Sequence, residues 1–220
     1  MKAALVGHGP SLLKSPLGAE IDGHDAVIRI KRCWPLIDGY PQFYGTKTDH
    51  VVGSLKIAHD LVTRWRERGV DSFWVFDDSR TYGKDYPVPE GARCDPLLCK
   101  RWRDEYLELR HTQKLAECQR PSEHISDEKG HRHQSAGSHA IMYALEWLRP
   151  ECLSLYGFDS LIGGRFIYSV TRGTDWMQYP DHNWSAEAKL LREMAGYYGY
   201  SIVHTDGGVE RTQLWRNDAA

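Results

Sequence analysis

The strongest constraint on the fold is a rhythm in the sequence. Apolar runs of about four or five residues alternate with longer stretches whose apolar residues recur at helical spacing. The runs are residues 3–6, closed by Gly7, then 26–30, 50–53, 72–76, 152–156, closed by Gly157, and 201–204. Runs this short, bounded by turn residues, read as buried strands. Between them, residues 54–68 carry Ala58, Leu61, Val62 and Trp65 on one helical face, with Ser54 to cap and Gly69 to stop. Residues 135–148 place Ile141, Met142, Leu145 and Leu148 together. Residues 185–198 do the same with Ala186, Leu190, Leu191, Met194, Ala195 and Tyr198. Residues 97–118 are charged in both signs and read as helical. Strands alternating with helices predict an α/β fold, a Rossmann-like sandwich with a mostly parallel central sheet. At 220 residues, one domain spanning 1–220 is expected. Residues 77–94 read as loop. Residues 120–134, polar and holding His124, His131 and His133, read as a lid-like insertion.

Composition removes several function classes. A formal net charge of -2 argues against binding nucleic acid through bulk electrostatics. No apolar stretch approaches the roughly 20 residues of a membrane span, and the first residues hold no signal-peptide core. Five cysteines (Cys33, Cys94, Cys99, Cys118 and Cys152) stand at irregular spacing with no CxxC pair. That pattern predicts reduced thiols and a cytoplasmic protein.

In a sheet of this kind, ligands sit at the carboxyl ends of strands, so the residues just after each run are the places to look for a site. After the first run comes Gly7-His8-Gly9-Pro10-Ser11, either a tight turn or a place where backbone approaches a phosphate. The third glycine of a dinucleotide fingerprint is missing, with Leu12 in its place. Gln134-Ser135-Ala136-Gly137 opens a helix, where Ser135 is an N-cap and the free N–H groups suit a phosphate. Tyr179-Pro180-Asp181-His182 precedes the last helix, and His182 is a candidate general base. Asp77-Asp78 reads better as a polar turn than as a metal site. His124, His131, His133 and His139 lack the spacing of a zinc site.

Taken in order, these segments resemble the sialyltransferases of glycosyltransferase family 29. Residues 6–33, with Gly18-Ala19-Glu20-Ile21-Asp22-Gly23-His24 at their centre, look like the family's large motif, whose distal end resembles Tyr44-Gly45-Thr46-Lys47-Thr48-Asp49-His50. Ser135-Ala136-Gly137 followed by Leu155-Tyr156-Gly157-Phe158-Asp159 looks like the small motif. His182 to Glu187 fits the very small motif, His-x4-Glu. The opening GHGPSL, and Tyr179 three residues before His182, resemble the small bacterial enzymes of family 42. Three positions depart from the pattern: His8 and Lys31 stand where the family has asparagine, and Ala136 where it has threonine.

The resemblance implies inverting transfer of a sugar, sialic acid or a relative, from a CMP-activated donor to an acceptor hydroxyl, without cofactor or obligatory metal. It implies His182 as base, with Tyr179 and Tyr168 donating to the departing phosphate. Gly7, His8, Gly9, Ser11, Lys31, Ser135, Ala136, Gly137, Gly157 and Asp159 would line the donor, and Glu187 would support the site structurally. The three departures keep open a different nucleotide-sugar donor or a non-catalytic nucleotide-binding protein.

Overall fold

The computed structural model describes residues 1–77, 85–117, 134–158, 184–205 and 211–217. They form one eight-stranded sheet in the order β5-β4-β3-β2-β1-β6-β8-β7. Strands β1 (Lys2–Val6), β2 (Ala26–Ile30), β3 (His50–Ser54), β4 (Phe73–Phe76), β5 (Ala92–Arg93) and β6 (Cys152–Tyr156) are mutually parallel. Strand β8 (Arg211–Arg216) runs antiparallel between β6 and β7 (Tyr200–Thr205). The Rossmann-like, mostly parallel sheet expected from the sequence is therefore present.

Alternation along each strand sorts residues between two covering layers. Ala3, Leu5, Ile28, Ile30, Val52, Trp74 and Phe76 face three helices: α5 (Pro96–Glu117), α6 (Ala136–Tyr143) and α7 (Trp184–Tyr198). Helix α6 continues into one π-helical turn, Ala144–Leu148, which ends at Arg149 with φ 48°. The opposite residues, Ala4, Val6, Val27 and Val51, face short helices α1 (Gly18–Asp22), α2 (Trp34–Gly39) and α3 (Pro41–Tyr44), and helix α4 (Ala58–Arg66). Strand β1 and its neighbours are closed to water on both sides, which is why they read as unbroken apolar runs.

The same layering locates the site. From β1 the chain turns into the α1 layer on its way to β2. Strand β6, on the other side of β1, is followed in the chain by α7 in the opposite layer. The order reverses between β1 and β6, and a crevice at the carboxyl ends of two such strands is the usual ligand position. The expected lid, 120–134, lies outside the described residues except for Gln134.

Candidate functional site

At the reversal point the turns after β1 and β6 are stitched together. Gly7 N donates to Tyr156 O (2.7 Å) and Gly9 N to Gly157 O (2.9 Å). A Cβ on Gly7 would lie 2.6 Å from the Gly157 carbonyl oxygen. Gly157 has φ 67°, and its Cβ would meet Leu12 Cδ1 at 2.9 Å. Both glycines are thus required by the packing of one turn on the other. Ser11, in the 3-10 turn Pro10–Lys14, is buried.

The start of α6 stands against this pair. A Cβ on Gly137 would lie 2.9 Å from Phe158 Cε1, so the two halves of the small motif pack directly. Ser135 is the N-cap, its Oγ accepting from Ser138 N at 3.2 Å. Glu187, in the first turn of α7 and fully buried, accepts from Ser135 N (2.9 Å), Ser135 Oγ (2.5 Å) and Ser138 Oγ. A carboxylate at a helix N-terminus is favoured by the free N–H groups and the dipole. Two of the first-turn donors are thereby satisfied within the protein. Those of Ala136 and Gly137 have no intrahelical acceptor by helix geometry.

The end of β2 adds the charge. Lys31 sits at φ 51°, a left-handed backbone that costs a side-chain-bearing residue about 1–3 kcal/mol. It is held at both ends: its N–H donates to Val52 O (2.7 Å), and its carbonyl accepts from Trp65 Nε1 (3.0 Å). His8 Nε2 donates to Ile30 O at 2.9 Å. His139, buried one turn into α6, donates Nδ1 to Ser135 O (3.0 Å) and stacks on Phe76 with centroids 4.1 Å apart.

Both imidazoles are neutral at pH 7. Burial pulls His8 down to about 4, with Lys31 and Arg29 adding to it against the Ile30 bond. Burial likewise takes His139 to about 4, with Lys31 and Arg103 adding and the Ser135 bond and Glu187 opposing. In the unfolded chain both rings would titrate near 6.5. Stability is therefore complete above about pH 6.5 and is lost as the pH falls toward 4, by about 3 kcal/mol per ring at the lower end. Calorimetry should show Tm falling steadily from pH 6.5 to 5, and His139→Phe should flatten the slope. A flat wild-type profile would contradict these assignments.

Residues 1–81 match the family model described as glycosyltransferase family 29 (sialyltransferase). No curated protein matches the chain in sequence. Among solved structures, a mammalian sialyltransferase superposes over 89% of this chain with a TM-score of 0.50 and 19% identity. This is the sialyltransferase fold. A second mammalian sialyltransferase structure, in complex with Gal-beta-1-3GalNAc-ortho-nitrophenol, gives the same TM-score, identity and coverage. The chain spans 66% of each of those two chains, just under two thirds.

Within this sialyltransferase fold, the residues that carry the large-motif resemblance divide by role. Glu20, Asp22 and His24 do not join the site. Tyr156 Oη donates to Glu20 Oε1 (2.7 Å), and His24 Nε2 meets Ser154 Oγ at 3.3 Å, so both fasten the α1 segment to β6. Asp22 accepts from Thr46 N, Thr46 Oγ1 and Lys47 N. Gly45, at φ 69°, is required there because a Cβ would fall 2.3 Å from Asp22 Oδ1. The best-matched stretch of sequence is thus architecture, and His8, Lys31 and the start of α6 lie at the strand ends.

Tyr168, Tyr179, His182 and Asp159 lie outside the described residues, as do Asp78, Cys118, His124, His131 and His133. Cys33, Cys94, Cys99 and Cys152 are free thiols. Among the described residues, no group of three His, Cys, Asp or Glu side chains is placed to hold a metal ion, Asp77 included. No helix among them is long and apolar enough to cross a membrane. In the sequence, His139 is visible only as one of four histidines that lack zinc spacing. The usable signal is its position four residues after an N-cap serine.

Proposed function

We propose that the chain is a glycosyltransferase that moves a sugar from a CMP-activated donor to an acceptor hydroxyl with inversion and without a metal. The observation that carries this is the meeting, at the reversal of strand order, of a double glycine turn with a helix start, close enough to Lys31 that its charge acts on His8 and His139. The leaving group in such a reaction is a nucleoside monophosphate, so negative charge grows on phosphate oxygens as the sugar departs. The Ala136 and Gly137 N–H groups suit that charge, and a preorganised donor of this kind contributes about 3 kcal/mol. Lys31 pairs with the phosphate or with a sugar carboxylate, replacing the contacts that asparagine supplies in the family. Tyr179 and Tyr168 are assigned as further donors to the phosphate. His182 takes the proton of the attacking hydroxyl, and Asp159 meets the ribose.

A different nucleotide-sugar donor is the second reading, favoured by the two changes His8 and Lys31 at the mouth of the site. A thermal-shift panel of CMP, UMP, UDP, GDP and NAD, each with and without Mn2+, separates the two. CMP at roughly 100 times its Kd should stabilise the protein by about 2.7 kcal/mol. That is a shift of about 5–10 °C for a chain of this size. A selective shift with CMP, unchanged by Mn2+, is expected. A shift with UDP or GDP alone would favour the second reading, and no shift with any nucleotide would remove both.

A further inference from the structure

The site holds two imidazoles whose hydrogen-bonding sense is set by the backbone. A carbonyl oxygen only accepts, so the ring nitrogen bonded to it must carry the proton. In His139 that nitrogen is Nδ1, on Ser135 O at 3.0 Å. In His8 it is Nε2, on Ile30 O at 2.9 Å. A neutral ring has one proton, so the remaining nitrogen of each, Nε2 of His139 and Nδ1 of His8, is a bare acceptor. Neither has a partner among the described residues.

Neither ring is free to turn over. His139 is stacked on Phe76 with the planes 18° apart and only 7% of the residue exposed. Its backbone lies in the first turns of α6, which Glu187 and the Ser135 cap hold. His8 lies between Gly7, tied by its N–H to the end of β6, and Gly9, tied to the turn after it, and its ring is held by the bond to Ile30 O. An asparagine at position 8 can offer a donor or an acceptor by rotating its amide. A histidine anchored in this way offers an acceptor alone.

We infer that His139 is a ligand-recognition residue whose Nε2 accepts a hydrogen bond from a neutral N–H or O–H of the bound nucleotide, with His8 Nδ1 as a second acceptor. The inference rests on the CMP-donor reading and adds to it a division of labour. The anionic part of the ligand goes to the positive charge of Lys31 and to the N–H groups at the helix start. A bare imidazole nitrogen repels a phosphate oxygen, so the two histidines face the ribose hydroxyls or the amino group of the base. His139 thereby discriminates by the donors a ligand presents.

The test uses the full chain labelled with 15N-histidine and two-bond proton–nitrogen correlation at pH 7. The His139→Phe and His8→Asn variants assign the two rings. In the free protein His139 should be the Nδ1–H tautomer and His8 the Nε2–H tautomer. Saturating CMP should move the bare nitrogen of His139 toward the hydrogen-bonded position. His139→Phe keeps the stack on Phe76 and removes the acceptor, so CMP should bind about 10-fold more weakly, the effect of one hydrogen bond. Repeating the comparison with 2′-deoxy-CMP and UMP names the donor: the penalty disappears with the analogue that lacks the group, and persistence with both assigns the ribose 3′-hydroxyl. The opposite tautomer at His139 overturns the inference. So does CMP that saturates the wild type without moving that nitrogen and binds His139→Phe equally well, and this result leaves the CMP reading standing. No CMP binding at all overturns both.

Discussion

Replacing His182 by alanine should lower kcat about 10²–10⁴-fold, the usual contribution of a positioned general base, and leave CMP affinity unchanged. The expectation combines the chemistry with the placement of α7. An acceptor hydroxyl is a weak nucleophile at pH 7, and a neutral imidazole with a pKa near 6.5 is matched to taking its proton. His182 lies two positions before Trp184, the first residue of α7. The first turn of that helix is bonded through Glu187 to the start of α6, the segment proposed to hold the leaving phosphate. The interaction exists only as the proton moves, so kcat and kcat/KM should fall together while KM for the donor stays put. The acid limb of the pH–rate profile should disappear with the imidazole. Steady-state kinetics with a CMP-sugar donor checks all three. Full turnover in His182→Ala would remove His182 from the mechanism and leave the nucleotide site as described.

The parts of this molecule that are legible in the sequence are those where local chemistry and burial agree. Strands β1, β2, β3, β4 and β6 are buried on both faces, so apolar runs mark them without ambiguity. Helices α4 and α7 each bury a stripe at helical spacing, and the apolar residues of α6 recur at that spacing although nearly the whole helix is buried. Strand β8 escapes because its inward face carries Thr212 and Leu214, both fully buried, among polar neighbours. One apolar residue makes no pattern. Helices α1, α2 and α3 escape because they are four to six residues long, with no room for a period to repeat. At the site, Gly7, Gly157, Ser135 and Gly137 are legible as turn and cap residues. The use of Glu187 is legible only as support. Its partners lie 49 and 52 positions away, and spacing along the chain carries no sign of them. His139 is hidden for a related reason. In a helix buried on nearly every side, a histidine does not stand out from its apolar neighbours until the stack on Phe76 and the bond to Ser135 O are seen.

The second large effect concerns the architecture that carries the family resemblance. Arg29→Ala should destabilise the fold by about 3–5 kcal/mol, the range for breaking a buried charged network, and lower Tm by roughly 10 °C. Arg29 is in the middle of the sheet on β2 and has no exposed surface. Its guanidinium donates Nη1 to Tyr44 O (2.6 Å) and both Nε and Nη2 to Lys47 O (3.1 and 2.8 Å), with Asp22 at 3.9 Å. Burial pulls its pKa down, and Cys33, Asp22 and Asp49 oppose that. Removing the side chain strands the carbonyls of Tyr44 and Lys47 and leaves Asp22 without its nearby cation, in addition to opening a void. Arg29→Lys should recover little, because one ammonium cannot reproduce a planar fork that serves two carbonyls. Arg29→Met fills the space and should still fall well short of wild type, because the carbonyls remain without donors. Urea denaturation of the four proteins orders them. CMP affinity, measured below each midpoint, should be unaltered, because Arg29 directs its guanidinium into the 44–47 segment, away from the start of α6. A loss under 1 kcal/mol in Arg29→Ala would mean that the Tyr44 and Lys47 carbonyls find other donors, and that the arginine in this motif serves the ligand instead of the fold.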